Sequence, residues 1–195
     1  MADQGNEGLL SPFLRSERFK AAKPYIRGRV LDVGCGSGTI ASMVPATHYL
    51  GVDIDEQSLL IARKQYPEHR FQNNLPSVES LFDTVVALAV IEHVNKPNLF
   101  LDDLAARLKP DPKSLIICTS PHPNFNWIHK IGAAAGLFSS HGSKEHKELL
   151  DMSRLEEIAE KCGLKLALYK LFLLKANQLV IFQRADIKLQ ENEIR

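Results

Sequence analysis

Residues 30–38, Val30-Leu31-Asp32-Val33-Gly34-Cys35-Gly36-Ser37-Gly38, restrict the fold more than any other stretch of this chain. The first four read as a short β-strand, the glycines as a tight turn, and Thr39 to Val44 as a short helix closed by Pro45. Strand, glycine loop and helix in that order form the opening unit of a parallel βαβ sheet. Gly38 follows Gly34 by four residues, whereas a dinucleotide-binding turn needs a spacing of five. No lysine and hydroxyl pair follows, as a phosphate-cradling loop requires. Asp32, two residues before the first glycine, repels a phosphate and attracts a cation.

The same alternation continues downstream. Thr47 to Val52 is a second β run ending at Asp53, and Glu56 to Tyr66 is helical up to Pro67. Asp55 reads as the cap of that helix. A weak third strand lies around Arg70 to Gln72, and Phe82 to Val90, the most continuously apolar strand in the chain, is a fourth, suited to the buried centre of a parallel sheet. Asn95 and Pro97 start a helix with Phe100, Leu101, Leu104 and Leu108 at helical spacing, and Leu115 to Thr119 is a fifth strand. Ser153 and Glu156 form a capping-box signature for a helix ending at Cys162-Gly163, followed by β runs at Lys165–Leu174 and Gln178–Gln183. Ser11-Pro12 opens a first helix over about residues 12–23.

The expected architecture is α/β: a Rossmann-like, doubly wound, seven-stranded and mainly parallel sheet, helices on both faces, last strand antiparallel. One domain is expected over 1–195. It divides into a leader and helix (1–28), a core (29–119), a covering segment (120–152), a C-terminal helix and strands (153–185) and a tail (186–195). Ligands of such sheets sit beyond the carboxyl ends of the strands. Lysine and arginine (24) nearly cancel aspartate and glutamate (23), so a nucleic-acid partner is not expected. Cys35, Cys118 and Cys162 lack metal-ligand spacing and pair in no obvious way, which fits a reduced, cytoplasmic setting and no metal. The N-terminus has no basic start followed by an apolar stretch, as an export signal would.

Residues 30–38 resemble motif I of class I S-adenosylmethionine-dependent methyltransferases. Phe82 to Val86 followed by Ala89-Val90-Ile91-Glu92-His93-Val94 resembles motif IV and its flank in small-molecule members. His146 to Leu155 with Cys162-Gly163-Leu164 is similar to their C-terminal part, so the resemblance spans residues 15–184 and is densest at 29–95. It implies a cofactor with a sulfonium and an ammonium in place of a pyrophosphate. Asp32 would orient its methionine moiety, Gly34, Cys35, Gly36 and Gly38 would cradle it, and Asp53 would accept both ribose hydroxyls. Ile54, Leu88 and Glu92 belong to the same implied set. Asn73 and Asn74 stand where an acid usually meets the adenine.

The implied reaction is an in-line displacement that passes the methyl group to an oxygen, nitrogen or carbon of a small acceptor and leaves S-adenosylhomocysteine. Positioning alone contributes on the order of 7–11 kcal/mol, against roughly 3–5 for a placed base. If a base is used, the order of candidates is His93, His122, His146. Four of the seven histidines lie in the long segment 120–152, a stretch suited to a lid or acceptor-binding loop. Its apolar residues around Phe125 to Phe138 read as a small packed helix in preference to a membrane contact, because basic residues are sparse there. Two other classes compete. A short-chain dehydrogenase needs a lysine four residues after a tyrosine, which Tyr25, Tyr49, Tyr66 and Tyr169 all lack. A non-catalytic module that keeps the fold and cofactor but acts through partners is the alternative that no residue pattern removes.

Overall fold

Each β-prone run holds one strand of the sheet, its start within two residues of the run's, and the order in space explains which of them are most apolar. The computed structural model describes residues 11–123 and 150–185, so His146, the rest of 124–149, the leader 1–10 and the tail 186–195 lie outside the described residues. The strands are β1 (Val30–Val33), β2 (Tyr49–Val52), β3 (Arg70–Gln72), β4 (Thr84–Leu88), β5 (Leu115–Pro121), β6 (Leu164–Phe172) and β7 (Asn177–Arg184). They form one seven-stranded sheet in the order β3-β2-β1-β4-β5-β7-β6. The first five are parallel and β7 is antiparallel to both neighbours, as expected of the last strand. β4 lies at the centre, and Thr84 to Ala87 are all buried, which is why its sequence runs apolar without alternation.

Helices cover both faces. Leu101 and Leu104 of α3 (Pro97–Ala106) and Leu155 and Ile158 of α4 (Met152–Lys161) pack with Phe82, Ile116 and Phe182 on one side. Ala22 of α1 (Ser11–Ala22) and Leu59 and Ala62 of α2 (Glu56–Gln65) pack with Tyr49, Phe71, Ile117 and Ile181 on the other. Burying a large aliphatic or aromatic side chain of this kind stabilises by about 1.5–3 kcal/mol. No helix among the described residues is long and apolar enough to cross a membrane.

Some boundaries differ from the sequence reading. The cap of α4 is Asp151, whose side chain accepts from the Arg154 N–H, and Ser153 already lies inside the helix. Asp151 has the extended backbone (φ −77°, ψ 175°) that a capping residue needs, so the carboxylate two residues earlier takes the role assigned to the hydroxyl. α3 begins after Lys96 with no side-chain cap, and Pro97 takes its first turn. The segment after the glycine loop is a 3-10 turn, Thr39–Met43, and is not α-helical.

β6 and β7 are joined by a tight tip in which three successive non-glycine residues are left-handed: Leu173 (φ 50°), Leu174 (φ 53°) and Lys175 (φ 69°). Such residues cost about 1–2 kcal/mol each in that conformation. The same tip leaves Leu174 94% exposed.

Candidate active site

The sheet's order reverses between β1 and β4, and the loops leaving β1, β2 and β4 converge at that crevice. Gly34 and Cys35 donate their backbone N–H groups to the Val52 carbonyl at 2.7 and 3.1 Å. Gly36 N–H donates to Asp53 Oδ2 at 2.8 Å, and Asp55 N–H donates to Asp53 Oδ1 at 2.9 Å. One carboxylate therefore ties the loop after β1 to the turn after β2. Its oxygens offer about four acceptor positions, so it keeps room for further donors. Asp55 caps α2 through the Gln57 and Ser58 N–H groups, as its position in the sequence suggests. Between the two acids, Ile54 is 94% exposed.

Asp32 lies beneath this loop. It is 3% exposed and accepts the Tyr49 hydroxyl at 2.8 Å. Burial pushes its pKa up to about 7, with the Tyr49 bond opposing the shift and the Asp53 charge adding to it. Cys35 is buried as well, and Gly38 is left-handed where the 3-10 turn begins. On the β4 side, Ala89 is left-handed (φ 57°), held by its N–H to the Thr119 carbonyl and hydroxyl at 2.9 and 3.1 Å. That turn brings Val90 against Gly34, where an added Cβ would lie 2.4 Å from Val90 Cγ2.

Leu88 ends β4 opposite Thr119, and the next turn, Ile91–His93, carries half-buried Glu92 and exposed His93. His122 lies just past β5, half-buried, with its N–H bonded to the Ala176 carbonyl at 3.0 Å. Asn73 and Asn74 are exposed after β3, joined to each other at 2.9 Å, and the register of β2 with β3 sets Asn73 alongside Asp53. The fold thus gathers Asp32, Gly34, Cys35, Gly36, Asp53 and Ile54 at one mouth. Leu88, Glu92 and His93 lie at the neighbouring strand end, and His122 is one strand farther on.

The chain matches the family model for the methyltransferase domain over residues 9–168. It belongs to the methyltransferase domain family. Its relatives include the ubiquinone biosynthesis O-methyltransferase of Neisseria meningitidis serogroup C (strain 053442), 30% identical over 162 residues, 73% of this chain and 66% of that one. An O-methyltransferase of Pyrenophora dematioidea is 27% identical over 143 residues, 63% of this chain and 53% of that one. The chain spans less than two thirds of the length of these relatives. Among solved structures, the fold is that of the magnesium protoporphyrin IX methyltransferase of Synechocystis PCC 6803 with bound SAH, at a TM-score of 0.61 and 18% identity over 89% of this chain and 82% of that one. An S-adenosylmethionine-dependent methyltransferase of Mesorhizobium loti superposes with a TM-score of 0.67 and 15% identity over 88% of this chain and all of that one.

Within this methyltransferase domain the structure adds residues that the sequence reading passed over. Arg18 of α1 reaches across the carboxyl end of the sheet, its Nε donating to Asn177 Oδ1 at 3.1 Å. Burial lowers the pKa of its guanidinium, and the nearby Glu92 charge opposes that shift. Gln178 follows, donating to Ser120 Oγ at 2.8 Å and to the Leu150 carbonyl at 2.7 Å. These contacts join residues far apart in the chain, so no local spacing announces them. Val90 and Tyr49 were missed for the same reason: their roles arise from strand register and from a backbone turn at Ala89.

Proposed function

We propose that this methyltransferase domain binds S-adenosylmethionine over the ends of β1 and β2 and methylates a hydroxyl of a small aromatic acceptor. The tether from Gly36 through Asp53 to Asp55 carries the reading, because it holds a glycine loop and a half-exposed carboxylate as one rigid edge. A cofactor fits there. A Cβ built on Gly36 meets nothing within 4 Å, so the left-handed backbone leaves open space above the loop. Asp53 has unused lone pairs for two ribose hydroxyls, Ile54 offers an apolar face for the adenine, and the Asn73 amide can donate to and accept from the base edge. Gly34, Cys35, Gly36 and Gly38 form the cradle, Leu88 and Glu92 close the β4 side, and the Asp32 charge favours an ammonium from below.

When bound, S-adenosylmethionine supplies an activated methyl group and departs as S-adenosylhomocysteine. The chain's own task is to set an acceptor oxygen in line and to take its proton. His93, on the turn that carries Glu92, is assigned that proton, with His122 and then His146 as the next candidates. The relatives, each named as an O-methyltransferase, support oxygen as the methylated atom, and the Neisseria protein's place in ubiquinone biosynthesis supports a ring hydroxyl. The test is transfer of labelled methyl from S-adenosylmethionine to protocatechuate and to a short-chain prenylated catechol. Label is expected in a new methoxy group, with His93→Gln slowing turnover roughly 100-fold or more. Cofactor binding without transfer to either catechol would favour a non-catalytic module, and unchanged turnover in the variant would reject the base.

Asp32 gives this site a pH signature. Its folded-state pKa is raised to about 7, so ionising it costs stability as pH climbs from the ordinary carboxylate range through about 7. A cation overhead favours the ionised form. Cofactor binding near neutral pH is therefore expected to release a proton, read as a difference in heat between buffers of unlike ionisation enthalpy. Asp32→Asn should abolish the difference and raise the melting temperature above neutral pH. Identical heats in both buffers for the unaltered chain would contradict this role.

A further inference from the structure

We propose that the β6–β7 tip and the adjoining face of α1 form a docking surface for an anionic lipid bilayer. Leu174 stands 94% exposed on a four-residue turn in which Leu173, Leu174 and Lys175 all take the left-handed conformation that glycine or asparagine adopts at less cost. The chain thus keeps a large apolar side chain in water at a position where local conformation argues against it. Strain held at an exposed tip, with an apolar group as its result, points to a partner for that group. α1 lies beside the tip, tied by Arg18 to Asn177 two residues beyond Lys175, and it exposes a second apolar group, Phe13, at 53%.

Charge identifies the partner. Residues 11–29 hold six basic side chains and one acid, and residues 161–185 hold five and none. With 24 basic and 23 acidic residues overall, the remainder carries 13 against 22, so a nearly neutral chain is polarised along its sequence. Not every base serves the tip. Arg184 binds the Ala105 and Leu108 carbonyls at the far end of β7, Arg27 and Arg29 bind the Lys113 and Leu81 carbonyls before the starts of β5 and β4, Lys161 pairs with Glu157 and Lys20 with Glu17. Exposed Lys175 follows Leu174 directly, exposed Lys170 lies four residues before it on β6, and Arg15 lies on α1. Lysines on an edge strand also deter strand pairing, but that role needs neither an exposed leucine nor a left-handed turn. An apolar tip beside exposed lysines matches the anionic headgroup region, where each basic residue near the surface and each inserted aliphatic group adds to binding. The surface lies apart from residues 125–138, where basic residues are sparse and which lie outside the described residues.

The surface does not rest on the cofactor reading, although it bears on it. His122 N–H bonds the Ala176 carbonyl, so the tip adjoins the strand end assigned to the acceptor. Docking would turn that mouth toward an acceptor carried in the bilayer.

The test is sedimentation of the full chain with vesicles of phosphatidylcholine alone and of equal parts phosphatidylcholine and phosphatidylglycerol, a readout that involves neither cofactor nor turnover. Partition is expected with the anionic vesicles, weakened by salt, and much lower with the neutral ones. Lys175→Gln should lower it about fivefold and Leu174→Gly about tenfold. Glycine also relieves the left-handed strain, so Leu174→Gly should melt no lower than the unaltered chain, which separates lost docking from lost folding. Equal partition into both vesicle types, none into either, or variants that bind like the unaltered chain would overturn the proposal. Self-association of the chain that Leu174→Gly abolishes would overturn it too, by making a second copy the tip's partner.

Discussion

Asp53→Ala is expected to weaken S-adenosylhomocysteine binding by about a hundredfold or more, the largest effect of any single substitution at the site. Two hydroxyl bonds to a charged acceptor contribute about 1.5–3 kcal/mol each, so even the lower end of that range, about 3 kcal/mol in total, gives a factor of a hundred. The substitution also frees the loop, because the same carboxylate accepts the Gly36 and Asp55 N–H groups. Asp53→Asn, which keeps one oxygen, should fall between the two. Equilibrium titration checks both, and an alanine variant within threefold of the unaltered chain would remove Asp53 from the site.

Gly34→Ala and Gly36→Ala are expected to fail in different ways, and the contrast is the informative part. At Gly34 an added Cβ would meet Val90 Cγ2 at 2.4 Å on a backbone at φ 74°. A left-handed alanine and an overpacked contact together cost about 2–4 kcal/mol. For a chain of this size that lowers the melting temperature by roughly 4–16 °C. At Gly36 the φ is 52° and the Cβ meets nothing within 4 Å. Gly36→Ala should therefore carry the left-handed cost alone, about 1–2 kcal/mol or roughly 2–8 °C, while losing cofactor affinity, since its methyl occupies the space assigned to the ligand. Trimming Val90 to alanine should restore part of the stability lost in Gly34→Ala, and none of the affinity lost in Gly36→Ala. A Gly36→Ala chain that binds normally would mean that the cradle lies elsewhere.

The alternation of strands and helices was legible in the sequence because burial on both faces leaves a simple mark: Thr84 to Ala87 are wholly buried, and the chain is apolar without a break from Val85 to Ile91. Glycine spacing and the strand-end acid were legible too, since a turn that only glycine makes and a carboxylate after a strand are local facts. Depth was not. Asp32 reads from the sequence as a ligand-facing acid, yet it lies under the loop, bonded to Tyr49, because β1 is covered on both sides. Caps proved ambiguous where two candidates stood close together. Asp151 outcompeted Ser153 because its backbone leaves the helix and its carboxylate reaches the Arg154 N–H. The pairing of Arg18 with Asn177 spans 159 residues and depends on where α1 settles across the sheet. Such contacts follow from tertiary packing, which no spacing rule encodes.

In the proposed site a sulfonium nucleoside rests on the glycine loop with its sugar on Asp53. The most direct measurement is a calorimetric titration of the folded chain with S-adenosylhomocysteine, repeated with the Asp53→Ala chain. The expected result is saturable heat from one site per chain that the substitution all but removes. No heat with S-adenosylhomocysteine or S-adenosylmethionine, from protein that melts cooperatively, would contradict it.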